Sequence, residues 1–354
     1  MCGYSDNKDL GTAWPKSSNS SSSISMMTLS TPTLVLCGSG SVTAFIAWYL
    51  YRKRQTLKRV IFLCVWFVAF GCLLSGAYSF WYHHRPLPEA VHEILFEGVT
   101  YIREIRHSPR PLVIHIVKID LDAPGIDFLV TPGDPTRKLP LQARTTSQFL
   151  DEFNVQIAIN AGFCYPWYAR GPLWYYPHVG DPVNVYGLSI SQGISYSSPE
   201  SEYHAVYFSQ GNHVSIGQSV ESPYHAVSGR SIFLKAGELQ QSLHSWGNPY
   251  QPSPRTVVAL DKTGKQFMIF VVDGRQPNYS EGITLPELAQ VAIQHGADTA
   301  LNLDGGGSST LVVEGSDGKP LVLNSPIHGR VPPGRERPVA NHLGIFARRS
   351  ESPL

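Results

Sequence analysis

Net charge is almost absent from this chain: 28 Lys and Arg stand against 27 Asp and Glu, giving +1 over 354 residues. A polyelectrolyte footprint is therefore missing, and no nucleic acid is expected as a partner. Cysteine is scarce. Of the five, only Cys164 lies beyond the apolar N-terminal third, which excludes a disulfide inside the C-terminal body. No CxxC and no metal-ligand spacing among the histidines points to zinc. The sequences GxSxG, HExxH and Walker A are missing too, which removes the α/β-hydrolase elbow, the zincin helix and the phosphate-binding P-loop. No internal repeat is visible.

What the chain has in quantity is apolar sequence near its start. Residues 33–51 and 60–82 each carry no charge and each approach the roughly 20 residues that a membrane span requires. Arg52, Lys53, Arg54, Lys58 and Arg59 lie between them, and the positive-inside rule assigns that loop to the cytoplasm. Everything after Tyr82 is then expected outside the cytoplasm, on the periplasmic or extracellular side of the cell membrane. If the first run does not span, Arg52–Ala77 reads as a signal sequence that exports the same body. The Ser-rich stretch 1–32 is expected to be disordered.

From about residue 86 the pattern changes to short β-branched or alternating runs separated by Gly, Pro and Asn. Strands are expected at 99–105, 112–121, 126–131, 155–160, 186–191, 203–209, 255–261, 266–273, 299–304, 310–315 and 340–347. Two helices stand out, "TTSQFLDEFN" and 284–296. The second has Thr284 as N-cap, Glu287 closing a capping box and Gly296 as a stop. Strands outnumber helices without regular alternation, so the fold class is α+β, a β-rich mixed sheet core with few helices behind a membrane-anchor region. The domain division expected is a linker at 83–94, a body at 95–348 and a tail at 349–354.

Several polar clusters fall where expected strands end, at the rim of a sheet where loops converge. Asp273 in "VVDGR" and Asp304 in "NLDGGGSST" occupy such positions, although an Asp-Gly turn alone accounts for either. Gly305, Gly306 and Gly307 present backbone that a ligand can approach closely, suited to an anion. Ser308, Ser309 and Thr310 are placed to bond the same anion or to cap a turn. Arg255 and Arg275 match a phosphate or carboxylate with a bidentate fork, or else bridge the rim as salt bridges. Asn160, Asn302 and Asn341 sit in apolar strands and need partners there, structural or sugar.

Taken in order, "PRTVVAL", "VVDGR", "EGITLPELA", "NLDGGGSSTLVV" and "RPVANHLGI" resemble the phosphodiester glycosidase family over about residues 95–348. That resemblance implies hydrolysis of the C1–O bond of a sugar-1-phosphodiester, of the N-acetylglucosamine-1-phosphate type or a related envelope or exopolysaccharide glycan. It implies a site made from Asn160, Arg255, Asp273, Arg275, Asn302, Asp304, Gly305–Gly307, Ser308, Ser309 and Thr310. Asp304 is expected at the anomeric carbon as nucleophile or base, with Asp273 competing, and the two arginines with the glycine nest on the phosphate. The insert 164–182, with Trp167, Trp174, Tyr175 and Tyr176, is expected as a sugar platform or as a lid. No cofactor is required by the sequence. A calcium or magnesium ion held by Asp273, Asp304 and Asn302 would make the protein a phosphodiesterase cutting P–O instead. A phosphoglycan-binding protein without turnover is the other alternative.

Overall fold

Strand Arg255–Asp261 buries both of its faces. Val257 and Ala259 enter one apolar cluster while Val258 and Leu260 enter another. Its neighbour Gln266–Val272 divides in the same way, Phe267, Ile269 and Val271 to one side and Met268, Phe270 and Val272 to the other. Strands covered on both faces read as unbroken apolar runs, which is how these two appear in the sequence.

The computed structural model describes residues 43, 46–49, 57–171, 174–243, 248–328 and 333–349. The chain divides into two units, 1–79 and 80–354. Within the second, one eight-stranded sheet runs in the order Val91–Phe96, Val99–Arg106, Leu112–Asp120, Gln266–Val272, Arg255–Asp261, Ala297–Asn302, Ser231–Lys235 and Glu238–Leu239. A five-stranded sheet has the order Pro320–Val322, Leu311–Glu314, Ile157–Asn160, His342–Phe346 and Asp127–Val130. A second five-stranded sheet is centred on His225–Gly229.

Side chains from all three sheets share one core, in which Ile119, Val258 and Ile269 meet Ile157, Leu311 and Leu343, with Phe208 and Val227 completing it. Helix Leu285–Gln294 covers the outer face of the large sheet, packing Leu288, Val291 and Ala292 against Ile114, Ile116 and Phe270. Helix Thr146–Phe153 packs on the first five-stranded sheet through Phe149 and Leu150 against Ala158 and Val312. Helix Leu285–Gln294 carries the capping box its sequence announces, Thr284 with Glu287, and the structure shows one on Thr146–Phe153 as well, Thr145 with Gln148.

The body is therefore sheet-rich with few helices. One detail differs from the mixed sheet expected: every ladder between the described strands is antiparallel. The large sheet also begins at Val91, inside the stretch 83–94 that reads as a linker, because "VHEILF" pairs with Val99–Arg106 as an edge strand.

Helix Leu57–His83, which begins in the first unit and ends in the second, contains the apolar run 60–82, and its Lys58–His83 portion is long and apolar enough to cross a membrane. Phe67 and Leu63 are largely exposed on it. The other expected span, 33–51, lies outside the described residues apart from 43 and 46–49, as do 1–32 and 350–354.

Candidate active site

The acid that closes "TALNLD" sits where the chain leaves one sheet for the other. Leu303 N–H donates to the Thr256 carbonyl of the large sheet, at 2.9 Å, and Asp304 N–H donates to the Ala161 carbonyl beyond the end of the second sheet, also at 2.9 Å. Asp304 is thereby fixed on both sides at the seam. It forms part of the wall of a cavity of about 310 Å³, together with Arg255, Arg275, Arg337, Asn302 and the three glycines 305–307.

Charge in this cavity is lopsided, with three arginines and Asp304 as the one carboxylate among its lining residues. The half-buried Asp304 has a pKa raised to about 6 because burial disfavours the charged form; the Ser308 hydroxyl, Arg337, the Gly305 N–H and Arg275 pull in the opposite direction. Arg255 is 5% exposed and donates to the carbonyls of Ile283 and Gln251, at 3.4 and 3.3 Å. Its burial and the like charge of Arg275 push its pKa down to about 10. An anion placed between the two guanidinium groups relieves that repulsion.

Asn302 is 1% exposed, and its Oδ1 has no hydrogen-bond partner among the described residues. A buried acceptor at a cavity wall without a partner is suited to a ligand hydroxyl or amide N–H.

The glycine triplet lines the cavity, but it is not the open nest expected. The N–H groups of Gly306, Ser308 and Ser309 already donate to Pro254, Gly305 and Gly306 carbonyls, closing a 3-10 turn at Gly306–Ser308. Glycine suits the loop by backbone angle and by room, a Cβ on Gly305 coming within 2.8 Å of the Pro254 carbonyl. Gly306 has φ +64, and a Cβ on Gly307 would collide with the Arg337 guanidinium. Ser308 and Thr310 hold the turn: Ser308 Oγ accepts from Arg337 Nη1 at 3.3 Å and Thr310 Oγ1 donates to the Ser308 carbonyl at 3.0 Å. Ser309 is buried and its hydroxyl, like the Asn302 oxygen, lacks a partner among the described residues.

Five expected site residues do not line the cavity: Ser308, Ser309 and Thr310, which belong to the turn, and Asn160 and Asp273. Asn160 is fully buried and its amide is spent inside the protein, Oδ1 accepting from Thr256 Oγ1 (2.8 Å) and Thr310 N–H (3.0 Å), Nδ2 donating to the Asp304 carbonyl. Asp273, at 1% exposure, accepts from Ser325 N–H (2.8 Å) and Asn324 Nδ2 (3.1 Å), with His115 Nε2 3.4 Å away. Both position the loops around Asp304. Asp304 and Asn302 line the cavity whereas Asp273 does not, and no group of three or more His, Cys, Asp and Glu suited to a metal occurs among the described residues. Asn341 is likewise satisfied, by Gly162 N–H and Ser189 Oγ.

Arg337 is the residue that sequence reasoning missed. Besides Ser308, it donates through Nε to His328 Nδ1 at 3.3 Å and lies 5.2 Å over the Trp167 ring. It thereby ties the aromatic insert to the glycine loop. Its motif "ERPVANHLGI" was visible; its pairing with a loop some 30 residues away was not. Of the four insert aromatics, Trp167 lines the cavity, joined by Phe163, Tyr165 and Tyr186, whereas Trp174 is largely exposed and Tyr175 meets Arg335 and His328. The Cys164 thiol also lines it, but burial pushes its pKa up to about 12, which leaves it inert as a nucleophile.

Comparison with known proteins adds a lineage to this geometry. The family model described as phosphodiester glycosidase matches residues 153–346. The fold is similar to the crystal structure of a hypothetical protein from Synechocystis, at 17% identity and a TM-score of 0.53, covering 74% of this chain and 64% of that one. It is also similar to the catalytic domain of zebrafish N-acetylglucosamine-1-phosphodiester alpha-N-acetylglucosaminidase, auto-inhibited by its pro-peptide, at 19% identity and a TM-score of 0.51, covering 75% of this chain and 86% of that one. No curated protein matches the chain in sequence.

Proposed function

The chain belongs to the phosphodiester glycosidase family, a family of hydrolases, and on that premise we propose that it cleaves the C1–O bond of a sugar-1-phosphodiester, releasing the sugar and a phosphomonoester. The observation that carries this reading is a lone carboxylate facing three arginines in one cavity.

The chemistry needs that asymmetry. An ordinary glycosidase uses two carboxyl groups because its alkoxide leaving group must be protonated. Here the bonding pair of C1–O passes to a phosphate oxygen, giving a monoester whose second pKa is near about 6. Its charge grows from one to two as the bond breaks. Arg255 and Arg275, with Arg337 beside them, meet that growing charge and take over the work of a general acid. Asp304 stands at the anomeric side, where it stabilises the developing oxocarbenium charge and takes the proton of the water that bonds to C1.

A sugar of the N-acetylglucosamine type suits the site, since Asn302 Oδ1 is a waiting acceptor and the ring can stack on Trp167 or Tyr165. The name of the zebrafish relative supports the same choice. Helix Leu57–His83 serves as membrane anchor in this reading, with the basic residues at 52–59 cytoplasmic and the body outward. Envelope or exopolysaccharide glycans are the corresponding substrate source.

The test is turnover by the full chain of the methyl phosphodiester of α-N-acetylglucosamine-1-phosphate, with and without chelator. The reading predicts free sugar plus methyl phosphate, insensitivity to chelator, and at least a thousandfold loss of kcat in Asp304→Asn with the fold retained. Chelator-sensitive release of sugar phosphate favours a phosphodiesterase, and tight binding without turnover a binding protein.

A further inference from the structure

Arg275 sits in a strained loop. Both Arg275 (φ 58) and Asn278 (φ 62) adopt the left-handed conformation, which costs a non-glycine residue on the order of 1 kcal/mol. Contacts that hold such a loop therefore decide where its guanidinium points.

Those contacts come from the few residues that end the long apolar helix and follow it. Tyr82 Oη donates to the Arg275 carbonyl at 3.2 Å, and Asn278 Nδ2 donates to the His83 carbonyl at 3.0 Å. Arg85 Nη1 donates to Gln276 Oε1 at 2.8 Å, and its guanidinium carbon lies 3.7 Å from the centre of the Tyr279 ring. The same arginine reaches Ser325 Oγ at 3.3 Å, and Gln276 Nε2 donates to the Ser325 carbonyl at 2.9 Å. Ser325 N–H holds Asp273, while neighbouring Asn324 Nδ2 donates to the Ser309 carbonyl. Arg85 is thus joined to both loops that border the cavity, the one bearing Arg275 and the one bearing the glycine triplet.

We propose that residues 82–85 form a brace that positions the phosphate-binding arginine, with Arg85 as a positioning residue acting through Gln276 and Tyr279 on Arg275. The proposal rests on the reading of Arg275 as a phosphate ligand. It goes beyond that reading in giving the segment after the membrane-length helix a part in substrate recognition. Sequence length alone explains a spacer there; it does not explain a side chain from 82, a carbonyl from 83 and a guanidinium from 85 all fastened to one five-residue loop.

The test uses the full chain with Arg85→Ala, Arg85→Lys and the milder Tyr82→Phe. Hydrogen exchange of the amides at 275–281 is read first, then kcat and KM for the methyl phosphodiester. The brace predicts at least tenfold faster exchange in Arg85→Ala, confined to that loop, and a KM raised about tenfold with kcat changed less. Arg85→Lys, which keeps a cation over Tyr279, is expected to recover part of both, and Tyr82→Phe to show a smaller shift in the same direction. Unchanged exchange in Arg85→Ala and Tyr82→Phe overturns the brace, and faster exchange with an unchanged KM overturns its role in recognition. A wild-type chain without turnover defeats the glycosidase reading alone, because the exchange measurement needs no substrate.

Discussion

At the scale of single residues, the direction of the Asp304 shift sets the expected pH dependence. As the base, Asp304 must be deprotonated, so kcat/KM is expected to rise through about pH 6 and level above it; a fall above pH 6 would mark it as a proton donor instead. The sign for stability is opposite. A carboxyl whose folded pKa is raised favours folding while it stays neutral, and that contribution is lost as pH rises through about 6. Allowing for solvent in the cavity, the cost at pH 8 is about 1–2 kcal/mol. Asp304→Asn is therefore expected to melt above wild type at pH 8 and level with it at pH 4, as calorimetry would register. Asp304, Arg255 and Arg275 were legible in the sequence because a charge at either end of a buried strand has few places to go except a rim. Asp273 and Asn160 carry the same signal, and what sends their side chains inward, Ser325 and Asn324 for one and Thr256 and Thr310 for the other, is set by tertiary contacts. The glycine run illustrates the same limit, since room for the Arg337 guanidinium and room for an anion demand the same residues.

At the scale of elements, both capped helices and the long strands could be read directly. Thr284 Oγ1 accepts from Glu287 N–H at 3.3 Å and Glu287 in turn accepts from Thr284 N–H at 2.9 Å, while Glu287 also pairs with Arg110. Thr284→Ala is expected to cost about 1 kcal/mol and lower Tm by a few degrees with KM unchanged, because the helix packs on the sheet face away from the shared inter-sheet core. A shift in KM would tie that helix to the cavity. Some strands that escaped notice are short or partly wet, as Cys164–Tyr165 with two residues and Val91–Phe96 with His92, Glu93 and Ile94 exposed, but His225–Gly229 and Ser231–Lys235 escaped it too although each has five mostly buried residues. A two-residue strand has no period to detect, and Cys164–Tyr165 is a strand by its pairing with Pro182–Val185.

At the scale of the whole molecule, two features hold together: a helix long and apolar enough to cross a membrane, and a hydrolase body built as three sheets around one core. Anchoring predicts that the full chain stays with the membrane pellet after high-salt and alkaline washes and that the body is cut by protease added from outside the cell. Release by salt alone would refute the anchor. The account's central claim, that water bonds to the sugar carbon while phosphate leaves, is tested most directly by the position of oxygen. Turnover of the methyl phosphodiester of α-N-acetylglucosamine-1-phosphate in oxygen-18 water, followed by mass spectrometry of both products, is expected to place the label in the sugar. Label in the methyl phosphate or in the sugar phosphate would mean attack at phosphorus and would contradict the role given to Asp304 and its three arginines.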